Sequence, residues 1–213
     1  MTTDAESPPA ASPPARWSQK EATRQRVIDA ARDLFDTHGY QGTTIREIAR
    51  HAGVAVGSVF TTFASKGEIL SEVMATRLAA LCAEIGRLSP HIHGSTADRL
   101  RTMFAVHFEF EARQTRLFLA HVAAAYDWTL TPGAQPYGRN AHFQEVIKAT
   151  LARGVAQGDV RSDADPQEVV DLLMAAYAWT WRLVITESAD VKAMIAVMDR
   201  QIGLVAGGFT PKS

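Results

Sequence analysis

A single cysteine, Cys82, stands in 213 residues, so the chain has no partner for an intramolecular disulfide and no set of thiols for a zinc ribbon. A reducing compartment is the expectation. No run of roughly 18 uncharged apolar residues occurs, and the opening MTTDAESPPAASPPAR has neither a basic start nor an apolar stretch, so neither membrane span nor signal peptide is expected. The expected localisation is cytoplasmic. Strict apolar/polar alternation is absent, which argues against strands. The chain also lacks GxSxG, GxGxxG, a P-loop and HExxH, and with them the usual marks of a hydrolase, a dinucleotide enzyme, an NTPase or a metalloprotease. No enzyme, cofactor or metal site is expected. Charge of one sign is missing as well: 22 Lys and Arg against 23 Asp and Glu give a net charge of −1, which by itself does not point to nucleic acid.

What is present is apolar residues, 46% of the chain, enough for a sizeable core. Residues 1–17 are rich in Pro, Ala and Ser without periodicity, the composition of a disordered arm. From there apolar residues recur at steps of three and four, so the expected fold class is all-α. Ser18 with Glu21 forms a capping box, the stripe Val27, Ala31, Leu34, Phe35 follows, and Gly39 stops the first helix. Thr44 with Glu47 and Ser65 with Glu68 repeat the start signal. The expected division is a helix-turn-helix head over residues 18–64 and a larger helical domain over 65–213, about nine helices in all. Downstream helices are expected at 95–112, 115–128, 138–157, 166–187 and 190–206, separated by Thr131-Pro132-Gly133, Gly158 and the cap Asp165-Pro166.

Within the head, TTIREIARHAGVAVGSVFTTF, Thr43 to Phe63, holds two helical patterns pressed against one glycine. Such short helices are unstable alone and must be braced from behind. A helix-turn-helix needs a small residue at the crossing, a residue tolerant of left-handed backbone in the turn, and apolar anchors. Ala49, Gly53 and Val59 supply these on the inner surface, helped by Ile45, Ile48, Val54 and Phe63. The spacing turns Val56, Gly57, Ser58, Thr61 and Thr62 outward, a small neutral face suited to the DNA major groove. Cations come from the flanks. Arg46 and Lys66 each sit in a first helical turn, where a positive charge is disfavoured unless an anion such as phosphate lies close. Helix N-termini at Thr44 and Ser65 add backbone donors for the same phosphates.

GYQGTTIREIARHAGVAVGSVFTTFASKGEIL, Gly39 to Leu70, resembles the DNA-binding segment of the tetracycline-repressor (TetR) family of bacterial transcriptional regulators. The likeness lies in the Gly-x-x-x-Thr-Thr entry, the Ile-Ala-x-x-Ala-Gly-Val crossing and the Ser-Lys after the aromatic anchor. It implies a three-helix head, with DNA contacts from Thr44, Arg46, Ser58, Thr62 and Lys66. Two departures are Ala55, where many relatives place a capping Ser or Thr, and Thr62, where many place a tyrosine that reaches a phosphate. The resemblance also implies that the last two helices pair with their copies in a second subunit to form a homodimer. The residues themselves allow either that or a large monomeric core: Leu172 to Ile185 is apolar on almost all sides, with Trp179 and Trp181 on different faces, and Val191, Met194, Ile195, Met198, Ile202 and Val205 make a broad stripe.

Between head and final helices, Phe104, His107, Phe108 and Glu111 share one helical face, and Leu117, His121, Ala124 and Trp128 share another. With Trp179 these faces form either plain core or a pocket for a small, partly aromatic effector. His107 and Glu111 also have the i,i+4 spacing of metal ligands, though a histidine satisfied by its carboxylate is the expectation. The function expected is a ligand-responsive repressor that binds a near-palindromic double-stranded operator as a dimer. Alternatives are a helical enzyme or a protein-interaction adaptor without DNA binding.

Overall fold

The computed structural model describes residues 15–125 and 141–211, apart from the side chains of residues 15–18, 90, 124 and 125. Its described residues form ten α-helices and no strand: α1 (Ala15–His38), α2 (Ile45–His51), α3 (Val56–Thr62), α4 (Lys66–Leu88), α5 (Thr96–Glu111), α6 (Thr115–Ala125), α7 (Ala141–Gln157), α8 (Pro166–Thr180), α9 (Arg182–Thr186) and α10 (Val191–Phe209). The all-α expectation holds. Helix α1 begins before Ser18, so that serine is not its cap, and residues 15–17 of the expected arm are helical. Residues 1–14 and the turn Thr131-Pro132-Gly133 lie outside the described residues.

Local chemistry accounts for most boundaries. Gly39 (φ +77°) ends α1 and Gly158 (φ +81°) ends α7 in the left-handed region that favours glycine. Ser95 and Asp98 exchange a reciprocal capping box at the start of α5, and Asp165 Oδ1 accepts from Gln167 N–H at 2.8 Å to start α8 behind Pro166. The single helix expected over 166–187 is two: the hydrogen-bond ladder slips to i,i+3 spacing where Val184 N–H donates to Trp181 O, separating α8 from α9. That slip raises the helix count above nine.

Helices α1 to α4 pack together as the head, with Val27, Ala31, Phe35, Ile48, Ala49, Val59, Phe63, Ile69 and Leu70 all buried. Helix α4 then runs on into the body, where Leu78, Leu81, Cys82 and Ile85 are buried. The α5 helix lies against α7 and α10, and α8 against α7 and α10. One stretch among the described residues, Pro166–Thr186 with mean hydropathy 1.3, is long and apolar enough to cross a membrane by length and composition, which the sequence reading did not expect. In this structure Val170, Leu173, Tyr177, Thr180 and Trp181 turn its inner face to the core, while Leu172 and Trp179 point outward.

Candidate nucleic-acid interface and buried polar core

The two short helices are held from behind as their sequence demands. Ile48, Ala49 and Val59 are at most 1% exposed, and Val54 N–H donates to Ala49 O at 3.0 Å across the turn. Thr44 caps α2: its Oγ1 accepts from Glu47 N–H at 3.2 Å, and the Glu47 carboxylate accepts from Thr44 N–H and hydroxyl at 2.8 Å each. These hydrogen bonds hold the Glu47 carboxyl below its usual range. Gly53 takes the left-handed backbone expected of it at the turn, although it is exposed and not on the inner surface of the crossing. Its φ is +64°, and a Cβ there would meet nothing within 4 Å, so the glycine serves the turn's backbone and not a close approach of helices. Ala55 makes no side-chain cap, and α3 starts without one.

The outer face of α3 is as neutral as its spacing implies, and small except at Phe60. Val56, Gly57 and Thr61 are exposed, and Ser58 and Thr62 half-buried. The Thr61 and Thr62 hydroxyls donate to Ser58 O at 3.0 and 2.8 Å, which leaves their oxygens free to accept. Phe60, 57% exposed, was not among the expected contacts. The signal was available: consecutive helical residues differ by about 100°, so Val59 and Phe60 cannot both face inward. Arg46 is exposed on α2. Gln19, Lys20 and Thr23 of α1 also escaped notice; with Ser58, Thr61 and Thr62 they line an open groove of about 350 Å³ that sets a cation beside the neutral helix.

Lys66 is a correction. Its ammonium turns inward, donating to Tyr40 O (2.8 Å) and Thr43 O (3.0 Å) and lying 4.2 Å from the Tyr40 ring centre. The anion expected at this first helical turn is replaced by two carbonyl oxygens and an aromatic face, and burial lowers the pKa of the amine. In this structure it braces the head.

In the body, α5 brings Phe104, His107, Phe108 and Glu111 into the core, all at most 1% exposed, and His121 of α6 joins them. Tyr177 and Trp181 complete the group. The His107 ring stacks on Tyr177 at 4.6 Å, Phe108 lies 4.7 Å from Tyr177, and Phe118 lies 4.6 Å from Trp181. Trp179 is a second correction: it is 63% exposed, because its position on α8 faces away from Tyr177 and Trp181, and it lines no core. Trp128 lies outside the described residues.

His107 departs from the expected satisfied histidine. Its Nε2 stays 3.8 Å from Glu111 Oε1, and neither ring nitrogen has a hydrogen-bond partner. Burial pushes its pKa down to about 3 and that of His121 to about 4, so both imidazoles are neutral near pH 7. Glu111 instead pairs with Arg77 of α4, whose Nε donates to Oε2 at 2.9 Å while Nη2 donates to Phe110 O at 2.8 Å. Burial still outweighs the guanidinium and raises the carboxyl pKa. Among the described residues no three His, Cys, Asp or Glu groups stand together as a metal site.

Two links join this core to the head. Helix α4 carries both Lys66 and Arg77. At the start of α6, Arg116 Nη1 donates to Thr37 O of α1 at 2.9 Å, two residues before Phe118 enters the aromatic group.

Residues 27–73 match the family model described as bacterial regulatory proteins, tetR family. Over 60 residues, 28% of each chain, the protein is 45% identical to the HTH-type transcriptional regulator SrpR of Pseudomonas putida. It is 25% identical over 190 residues to the A-factor receptor protein of Streptomyces griseus, covering 88% of this chain and 65% of that one. The chain thus spans less than two thirds of the length of either relative. Among solved structures, FadR of Thermus thermophilus in complex with lauroyl-CoA superposes with a TM-score of 0.71 at 24% identity, covering 89% of this chain and 96% of that one, a likeness of fold.

Proposed function

We propose, from the premise that this chain belongs to the TetR family of bacterial regulatory proteins, that it is a cytoplasmic DNA-binding transcriptional repressor released from its operator by a small molecule. The observation that carries this reading is the α2–turn–α3 unit: a buried seam of Ile48, Ala49 and Val59 behind a small, uncharged outer face. A face without charge or long side chains can approach base edges closely, where hydroxyls and a Thr methyl distinguish bases. Val56, Gly57, Ser58, Thr61 and Thr62 are its base-reading residues, with Phe60 as an apolar contact. Arg46, Lys20 and the capped start of α2 at Thr44 hold phosphates and fix register.

One such helix reads too few base pairs for specificity, so two heads act together on a near-palindrome. The homodimer forms through α8 and α10, a reading supported by large apolar side chains left uncovered there: Leu172, Trp179 and Leu204 are each more than half exposed. The effector enters the core around Phe104, His107, Phe108, Glu111 and His121. It acts only by binding one spacing of the heads better than another, and α4 and α6 supply the mechanical path.

Selection of bound duplexes from a random pool, followed by fluorescence anisotropy at several salt concentrations, tests the reading. An enriched inverted repeat whose affinity falls steeply with salt is expected. Failure to enrich any duplex in dilute buffer overturns it.

A further inference from the structure

Buried polar atoms without partners are few in folded proteins, and each costs about 1–3 kcal/mol. Among the described residues eight such side-chain atoms occur, and five belong to one group: both nitrogens of His107, Glu111 Oε1, the Tyr177 hydroxyl and Trp181 Nε1. The other three are Nε atoms of Arg99, Arg153 and Arg161. The five are neighbours in space, and the Trp181 indole acts on the Tyr177 hydroxyl closely enough to oppose part of the rise that burial imposes on its pKa, without closing a well-formed hydrogen bond. His107 stacks on Tyr177 with ring planes 20° apart, Glu111 Oε1 lies 3.8 Å from His107 Nε2, and the rings of Tyr177 and Trp181 are 6.3 Å apart.

Their chemistry defines a complement. The neutral imidazole offers one donor and one acceptor, the carboxylate an acceptor, the hydroxyl either, and the indole a donor. The Arg77 guanidinium already balances Glu111, so an ion entering the group would be buried without a counter-charge. Phe104, Phe108, Phe118 and Phe143 flank the polar atoms with ring faces and edges, a lining that fits a flat body. A saturated acyl chain would satisfy none of the five atoms, and sites with buried polar groups reject ligands that leave them unpaired.

We propose that the effector of this protein is a compact, uncharged, ring-bearing molecule with both a hydrogen-bond donor and an acceptor, held by His107, Glu111, Tyr177 and Trp181. This rests on the reading of the α5–α8 core as the effector site. The aromatic side chains close on one another in this structure, and the ligand opens the space it fills by displacing Phe118 and with it α6.

Isothermal titration of the full chain with para-hydroxyacetophenone and related uncharged hydroxyaryl ketones, with para-ethyltoluene and with dodecanol, tests the ligand class. The hydroxyaryl ketones are expected to bind at least about tenfold more tightly than para-ethyltoluene, and dodecanol weakly or not at all. Tyr177→Phe and His107→Phe should each narrow the ketone preference while leaving para-ethyltoluene unaffected. His107→Phe removes two orphaned nitrogens, so an unchanged or raised melting temperature is expected alongside for that variant. Equal or tighter binding of dodecanol or para-ethyltoluene overturns the proposal, as does absence of binding by every hydroxyaryl ketone or a preference that neither variant moves. Duplex selection by the ligand-free protein reports separately on the repressor reading. Intact DNA binding with no ketone preference removes the ligand class alone.

Discussion

Lys66 shows how a charge can be committed by its neighbours. Its ammonium satisfies the Tyr40 and Thr43 carbonyls and rests on the Tyr40 ring, so Lys66→Ala is expected to cost the head about 1–3 kcal/mol, seen as a lower melting temperature. The salt slope of duplex binding by the folded variant should stay as it was; a shallower slope at unchanged melting temperature would restore the phosphate role. His107 and His121 make a second prediction at this scale. Their folded pKa values, about 3 and about 4, lie below the ordinary 6.5, so between pH 6.5 and about 4 the unfolded chain takes up protons that the native core refuses. Stability should therefore fall as the solution is acidified through this window, by up to about 1.4 kcal/mol per pH unit for each histidine. Glu111, with its raised pKa, works in the opposite sense. Urea unfolding of wild type and His107→Phe across this range checks the sign: the variant should lose part of the slope.

Among the elements, α6 and α4 matter most, because both touch the head and the core. The continuity of α4 was legible from one uninterrupted apolar stripe beginning at Ser65. The α6 contact was not, since Arg116 and Thr37 are 79 residues apart and nothing in their local pattern pairs them. Arg116→Gln, with DNA affinity and release measured together, is expected to keep operator binding and effector binding while reducing the effect of effector on DNA. Unchanged coupling would assign transmission to α4 alone. The start signals at Thr44, Ser65 and Asp165 coincide with the N-caps of α2, α4 and α8. Helix α1 does not begin at its signal, Ser18, because a capping pattern inside a run of good helix formers need not be the point of entry.

For the whole molecule the decisive feature is apolar surface left uncovered on the last helices. Leu204 of α10 is 80% exposed and Trp179 of α8 63%, large apolar side chains that a pairing surface would cover. Trp179→Glu or Leu204→Glu should shift the protein from dimer to monomer in sedimentation velocity, retain its helical circular dichroism, and weaken binding to an inverted repeat far more than to a half-site. A dimer that survives both changes would place the interface elsewhere.

The chain's own pattern determined the all-α class, the caps and the helix-turn-helix with its outward residues, because period, capping and turn chemistry act over a few neighbouring positions. Which way Lys66 and Trp179 point, that Lys20 of α1 lies beside α3, and that five polar atoms meet around Tyr177 were decided only by tertiary packing. Those outcomes depend on which distant helices come to lie alongside, and no short-range periodicity carries that information.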